Sequence, residues 1–259
     1  MRTRRSVFAT LVTLAASLLT SAAGPAGGSP TAGHRLVLGK RLIGYSVDHR
    51  PIVAYHLGDP SIRRVSLVLG QMHGDEPAGV TVVKSLLDSD RRIVGVNLWV
   101  IRTMNPDGNR ADTRQNAHGV DLNRNWPYRW APLTGQYYSG PHALSEPESA
   151  AIHRFLLHLR PHFFVSLHQP LHAVDTSYGP KANRRFGRRL ADELGLPHAP
   201  LRCWSTCHGS MTNWYVHRHY GLAQTVEFGW HPRRAHLIKA VPRGLLRALG
   251  GHFGRPPGG

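Results

Sequence analysis

Two short runs, VSLVL at residues 65–69 and FFVSL at 163–167, constrain this chain most, because neither alternates polar with apolar. A strand that is apolar on both faces needs cover on both, which calls for a largely parallel sheet between layers of helix. The periodicity between the runs agrees. Pro77 opens a helical pattern through Val80, Val83, Leu86 and Leu87,. Ser145-Glu146-Pro147-Glu148 reads as a capping box ahead of Ile152, Phe155, Leu156 and Leu159,. Further helices are expected over 184–194, 211–219 and 235–249. Residues 36–38 and 52–55 read as an opening hairpin around Asp48-His49-Arg50-Pro51, and 94–101 as one strand leading to an Asn105-Pro106-Asp107-Gly108 turn,. The fold class is therefore α/β, a single domain with a central mixed, mostly parallel sheet flanked by helices. Residues 110–140 show little periodicity, and so long an irregular stretch in a compact domain is usually functional.

The first 23 residues read as a signal peptide: a basic start with Arg2, Arg4 and Arg5, an apolar stretch over 7–20, and Ser21-Ala22-Ala23 at the cleavage site,. The apolar stretch is short for a bilayer span, so export by the Sec or twin-arginine route is expected, with no transmembrane anchor after removal. Residues 24–34 read as a flexible linker, 35–252 as the folded domain and 253–259 as a flexible tail. Lys and Arg number 32 against 15 Asp and Glu, a net +17. That charge suits contact with an anionic polymer such as cell wall. No nucleic-acid motif accompanies it. Cys203 and Cys207 are the only cysteines. They leave two outcomes, a local disulfide, which export favours, or two thiols on a helical turn.

The chemistry-bearing residues sit where the apolar runs end. His73 and Glu76, three apart after the first run, can hold two positions of a zinc ion, and His168 closes the second run,. Such a histidine is also common as a satisfied residue at a core edge. Glu227 is more telling, since the chain has only five glutamates and this one lies within Thr225-Val226-Glu227-Phe228. A buried carboxylate needs a partner. Two are open: an arginine in an ion pair, or a metal-associated water for which Glu227 is general base.

In order, HGDE (73–76), NPDG (105–108), RQNAHGVDLNRNWP (114–127), SLHQ (166–169) and TVEFG (225–229) resemble the zinc carboxypeptidase family over about residues 39–250. The resemblance implies one Zn2+ per chain, held by His73, Glu76 and His168, with Glu227 as the base. It implies that Arg114 steadies the oxyanion, that Asn123 and Arg124 grip the substrate's free carboxylate, and that Asp121 orients His73. Thr212 falls near the floor of the pocket for the C-terminal side chain. Ser210, Thr212 and Asn213 make that pocket polar, and no Asp is expected in it.

The chain departs from the family's pattern in two places. Asp75 stands where the family's HxRE form has arginine. The substrate-capping tyrosine has no counterpart: Ser205 falls near its place, and Tyr215 or Tyr220 could substitute only by another route. The short catalytic domain, HGDE and the leader are similar to bacterial murein peptide amidases. They imply a peptide substrate derived from cell wall, cut between γ-D-glutamate and meso-diaminopimelate. The alternatives are a carboxypeptidase on ordinary peptide C-termini, an acyl-amino-acid deacylase of the aspartoacylase and succinylglutamate desuccinylase type, and, last, a non-catalytic wall binder.

Overall fold

A computed structural model describes residues 36–201 and 207–255. Its strands are β1 (Gly39–Tyr45), β2 (Pro51–Gly58), β3 (Val65–Leu69), β4 (Ile93–Val94), β5 (Asn97–Ile101), β6 (Phe163–His168), β7 (Leu171–Asp175), β8 (His198–Ala199), β9 (Leu222–Gly229) and β10 (His252–Phe253). The helices are α1 (Ala78–Leu87), α2 (Pro106–Ala111), α3 (Pro147–Leu159), α4 (Lys181–Leu194), α5 (Met211–His217) and α6 (Val241–Ala248). Eight strands form one mixed sheet in the order β1-β2-β5-β3-β6-β9-β7-β8. Its centre, β5-β3-β6-β9, is parallel throughout. The α/β class read from the two apolar runs is the class observed.

Those runs lack alternation because each faces two cores. On β3, Val68 packs with α1, α4 and α6 residues such as Val83, Leu190 and Leu245. Leu67 and Leu69 pack on the opposite side with Phe155, Met211 and Trp214. β6 divides likewise, with Val165 and Leu167 on one side and Phe164 on the other. Burying one such side chain fully stabilises by roughly 1.5–3 kcal/mol, so the central strands tolerate few polar substitutions.

Several local expectations change. The first strand lies at Gly39–Tyr45, after residues 36–38, although Leu38 N still donates to His56 O. The 94–101 strand is broken by Gly95, whose positive φ of 80° separates β4 from β5. Asn105-Pro106-Asp107-Gly108 is the start of α2, not a turn: Asn105 Oδ1 accepts from Gly108 N, and Pro106 supplies the fixed first turn,. At Ser145–Glu148 no side chain caps α3. Glu146 and Glu148 turn away, where both accept from Asn116 Nδ2, at 2.7 and 3.1 Å. They anchor the long irregular segment rather than a helix end. The closing helix is π-helical over His236–Ala240 before α6. Phe253 pairs with Ile93, so strand pairing continues past residue 252, where the tail was expected to begin. The expected signal peptide and linker lie outside the described residues. Among the described residues no helix is long and apolar enough to cross a membrane.

Candidate active site

The chain leaves β3 through α1 to β5 on one side, then reaches β6 on the other. The carboxyl ends of β3 and β6 therefore flank a topological switch point, where open α/β sheets place ligands. His73 and Glu76 lie on the loop after β3, His168 is the last residue of β6, and Glu227 pairs with His168 across the next strand. Glycines set the loop's path. A Cβ on Gly79 would lie 1.5 Å from Gly70 O, so only glycine lets α1 start so close to the strand end. A Cβ on Gly74 would lie 1.9 Å from the carbonyl carbon of Gly108, which explains why HGDE and NPDG occur together.

The ligating atoms converge. His73 Nδ1 is 2.8 Å from Glu76 Oε1, His168 Nδ1 is 3.0 Å from Glu76 Oε2, and the two Nδ1 atoms are 3.3 Å apart. The three residues can each offer one atom to a common centre, all within 4.8 Å of one another. The outward nitrogens are occupied: His73 Nε2 faces Asp121 Oδ1 at 3.0 Å and His168 Nε2 faces Ser166 Oγ at 2.9 Å. Two imidazoles and a carboxylate, with ring orientation fixed from behind, are a donor set suited to zinc with an open position. The charge agrees. Burial opposes a proton on His73, but Glu76 and Asp121 outweigh it and lift its pKa to about 9. Burial likewise raises the carboxyls of Glu76 and Asp121, yet the facing histidines hold both well below the usual range. This centre is built to hold positive charge.

Around it lies a cleft of about 230 Å³ lined by all three residues and by Arg114, Asn123, Arg124, Thr212 and Glu227. Arg114 Nε and Nη2 both donate to Asp121 Oδ2, at 3.1 and 2.8 Å, leaving Nη1 turned toward Glu76 Oε1 at 3.5 Å. Arg124 is 6% exposed, donates from Nη1 to Asn123 O at 2.8 Å, and has a buried Nε with no partner among the described residues. Burial lowers its pKa, with Asp121 opposing. Asn123 Oδ1 accepts from Met211 N. Thr212 Oγ1 is 3.0 Å from Thr225 Oγ1 on the cleft wall. Glu227 pairs with no arginine among the described residues. Its one hydrogen bond is from Leu171 N at 3.5 Å, and burial raises its carboxyl, with the neighbouring His168 opposing.

Three cleft residues with polar side chains are not marked by any sequence motif. Tyr137 lies under both guanidiniums, 5.4 Å from Arg114 and 5.2 Å from Arg124, and only its place in the irregular segment hinted at a role. Tyr178 and Asp175 also line the cleft. Asp175 corrects the expectation that no Asp is present. It comes from the end of β7, whereas Thr212 and Asn213 come from α5. Neither Tyr215 nor Tyr220 reaches the cleft: Tyr215 is fully buried with its hydroxyl on Pro161 O, and Tyr220 packs against it. Ser205 lies outside the described residues, as does Cys203. Cys207 is disulfide-bonded.

Residues 37–186, more than half of the chain, match the zinc carboxypeptidase family model. The chain belongs to the zinc carboxypeptidase family. Membership places it among hydrolases of the metallocarboxypeptidase type, a zinc-dependent family. Murein peptide amidase A of Escherichia coli K12 is 31% identical over 170 residues, 59% of this chain and 66% of that protein. Its namesake from Vibrio campbellii is 37% identical over 145 residues, 51% of this chain and 56% of that one. The chain thus aligns with somewhat less than two thirds of these relatives' length. The crystal structure of a murein-tripeptide amidase from E. coli O157 superposes with a TM-score of 0.66 at 26% identity, covering 88% of this chain and 98% of that one. Carboxypeptidase A from Helicoverpa armigera, at 16% identity and a TM-score of 0.65, covers 82% and 68% and shares the fold.

Proposed function

We propose that this protein is an exported zinc-dependent hydrolase that removes the C-terminal residue of cell-wall peptides, cutting between γ-D-glutamate and meso-diaminopimelate. The observation that carries the reading is the convergence of His73, Glu76 and His168 beside Glu227 and Arg124 in one cleft. His73 and His168 through Nδ1, and Glu76 through its carboxylate, would hold one zinc ion. Zinc there supplies Lewis acidity to the scissile carbonyl and to the attacking water.

The chain's own residues do the rest. Glu227 takes the proton from the attacking water and returns it to the leaving amine. Its burial favours the protonated form it must adopt between those steps, and the cationic centre favours the ionised form it starts in. Arg114, immobilised by Asp121, offers Nη1 to the oxygen that gains charge, a term of a few kcal/mol at a fixed donor. Arg124, with its free Nε, and Asn123 bind the terminal carboxylate, for which a planar guanidinium is suited. Thr212 lies on the wall that meets the terminal side chain. The relatives named murein peptide amidase favour a wall peptide over other C-termini, and the expected leader, with the +14 charge left once its Arg2, Arg4 and Arg5 are removed, favours work at an anionic wall.

The test is incubation of the zinc-loaded protein with L-Ala-γ-D-Glu-meso-diaminopimelate and mass spectrometry of the products. Free diaminopimelate, abolished by a chelator, is expected. Turnover confined to ordinary peptides or to acetyl-aspartate would replace this substrate, and wall binding without hydrolysis would remove the enzyme reading.

A further inference from the structure

Three carboxylates line the cleft: Glu76, Glu227 and Asp175. The first two face the metal centre. Asp175 does not. Ala173 lies opposite Glu227 in the antiparallel pairing of β7 with β9, and side chains two apart on a strand share a face. Asp175 therefore shares the face of Glu227 and stands about 7 Å further along the sheet. Its Oδ1 accepts from Ser177 N at 2.8 Å and Leu201 N at 3.2 Å. No cation pairs with it among the described residues.

The groups that line the cleft with Asp175 are polar, and not all of their hydrogen-bonding capacity is used. Among the described residues Ser210 Oγ, in a residue only 7% exposed, has no hydrogen-bond partner, and the buried Tyr178 hydroxyl has only the hydroxyls of Thr212 and Thr225 within loose reach and no well-formed bond. The Tyr178 hydroxyl lies beside Thr212 and Thr225, and its pKa is pushed up by burial and then by the charge of Asp175. Buried polar atoms without partners are uncommon in folded proteins, and several in one cleft mark a place where a polar ligand completes them. An unpaired carboxylate among them fixes the sign of that ligand.

We propose that Asp175 is the specificity-determining residue of this cleft and recognises a primary ammonium on the side chain of the residue being released, with Ser210 and Tyr178 completing its hydrogen bonds. The assignment rests on the hydrolytic reading above. Asp175 lies beyond Glu227 by about the length of a side chain of four or five bonds, each about 1.5 Å. Diaminopimelate and lysine both carry such an ammonium. Diaminopimelate adds a second carboxylate on the carbon that bears the ammonium, within the same polar lining of Ser210 and Asn213.

The experiment compares four tripeptides, L-Ala-γ-D-Glu-X, with X as meso-diaminopimelate, lysine, 2-aminopimelate or norleucine. The first pair carries the amine and the second lacks it. The wild-type protein should favour each amine-bearing member over its partner, and Asp175→Asn should shrink that ratio of kcat/KM about 10–100-fold, chiefly through KM. A wild type indifferent to the amine overturns the proposal without any variant, and so does an unchanged ratio in Asp175→Asn. Preference for diaminopimelate over lysine would show that the second carboxylate is also read. Calorimetric binding of free meso-diaminopimelate against 2-aminopimelate separates the two readings. Amine-dependent binding lost in Asp175→Asn, without hydrolysis of any tripeptide, would retain the pocket and discard the hydrolase.

Discussion

Asp121 Oδ1 stands 3.0 Å behind Nε2 of His73, on the opposite side of the ring from the Nδ1 that meets Glu76. Nε2 therefore carries the hydrogen, and the Nδ1 lone pair points to the centre. The same carboxylate takes Arg114 Nε and Nη2 on Oδ2, and Asn123 N on Oδ1. One fully buried residue thus fixes a metal-facing imidazole, a guanidinium and the backbone that leads into Arg124.

Asp121→Asn keeps the volume but puts a donor where either His73 or Arg114 already donates. Zinc affinity should fall about 10–100-fold, the usual effect of losing the group behind a ligating histidine. Competition with a chromogenic chelator measures it. An affinity equal to wild type would show that Asp121 serves only the arginine.

Glu227→Gln should bind one zinc per chain and lose about 10²–10⁴-fold in kcat, the range for a removed general base. Glu227 makes only a long bond to Leu171 N, so the amide fits without disturbing the sheet. Metal analysis beside steady-state kinetics checks both halves. An unchanged kcat refutes the assignment.

The sheet's centre was legible because burial on both faces writes itself as apolar runs, and the site residues because they follow those runs directly. What stayed hidden depends on contacts distant in sequence. Glu146 and Glu148 look like helix-capping residues locally, but Asn116, some 30 positions away, draws their carboxylates inward. Asp107 sits in a turn-like tetrapeptide, yet Asn105 makes it the first turn of a helix. Asp175 was missed because β7 doubles back beside β9, an antiparallel return that no local pattern announces.

Arg124→Ala should raise KM about 10–100-fold with a much smaller change in kcat, since charged hydrogen bonds contribute about 1.5–3 kcal/mol and the terminal carboxylate is equally charged before and during reaction. Arg124 is held by Asn123 O and stacked over Tyr137, so Tyr137→Leu should weaken binding in the same direction by less. A normal KM in Arg124→Ala would assign the carboxylate to another residue.

Acid stability should depend on Asp107. This buried carboxylate accepts from Ser46 Oγ at 2.8 Å and from Asp48 N at 3.0 Å, and it pairs with Arg50. Burial alone would raise its pKa, but those donors and Arg50 outweigh it, and the folded value lies below the ordinary aspartate value of about 3.9,. As pH falls, the unfolded chain therefore binds this proton first. The resulting stabilisation is fully present above about pH 4 and is lost as pH drops through the lower folded value. Asp107→Asn removes the charge that creates this difference, so the variant should melt lower at pH 7 yet lose less Tm than wild type between pH 5 and 3. Thermal melts across that range decide the matter, and parallel Tm slopes would place the acid sensitivity in another carboxylate. Because Ser46 and Asp48 border the β1–β2 hairpin, hydrogen exchange in that hairpin should rise before global unfolding as acid protonates Asp107.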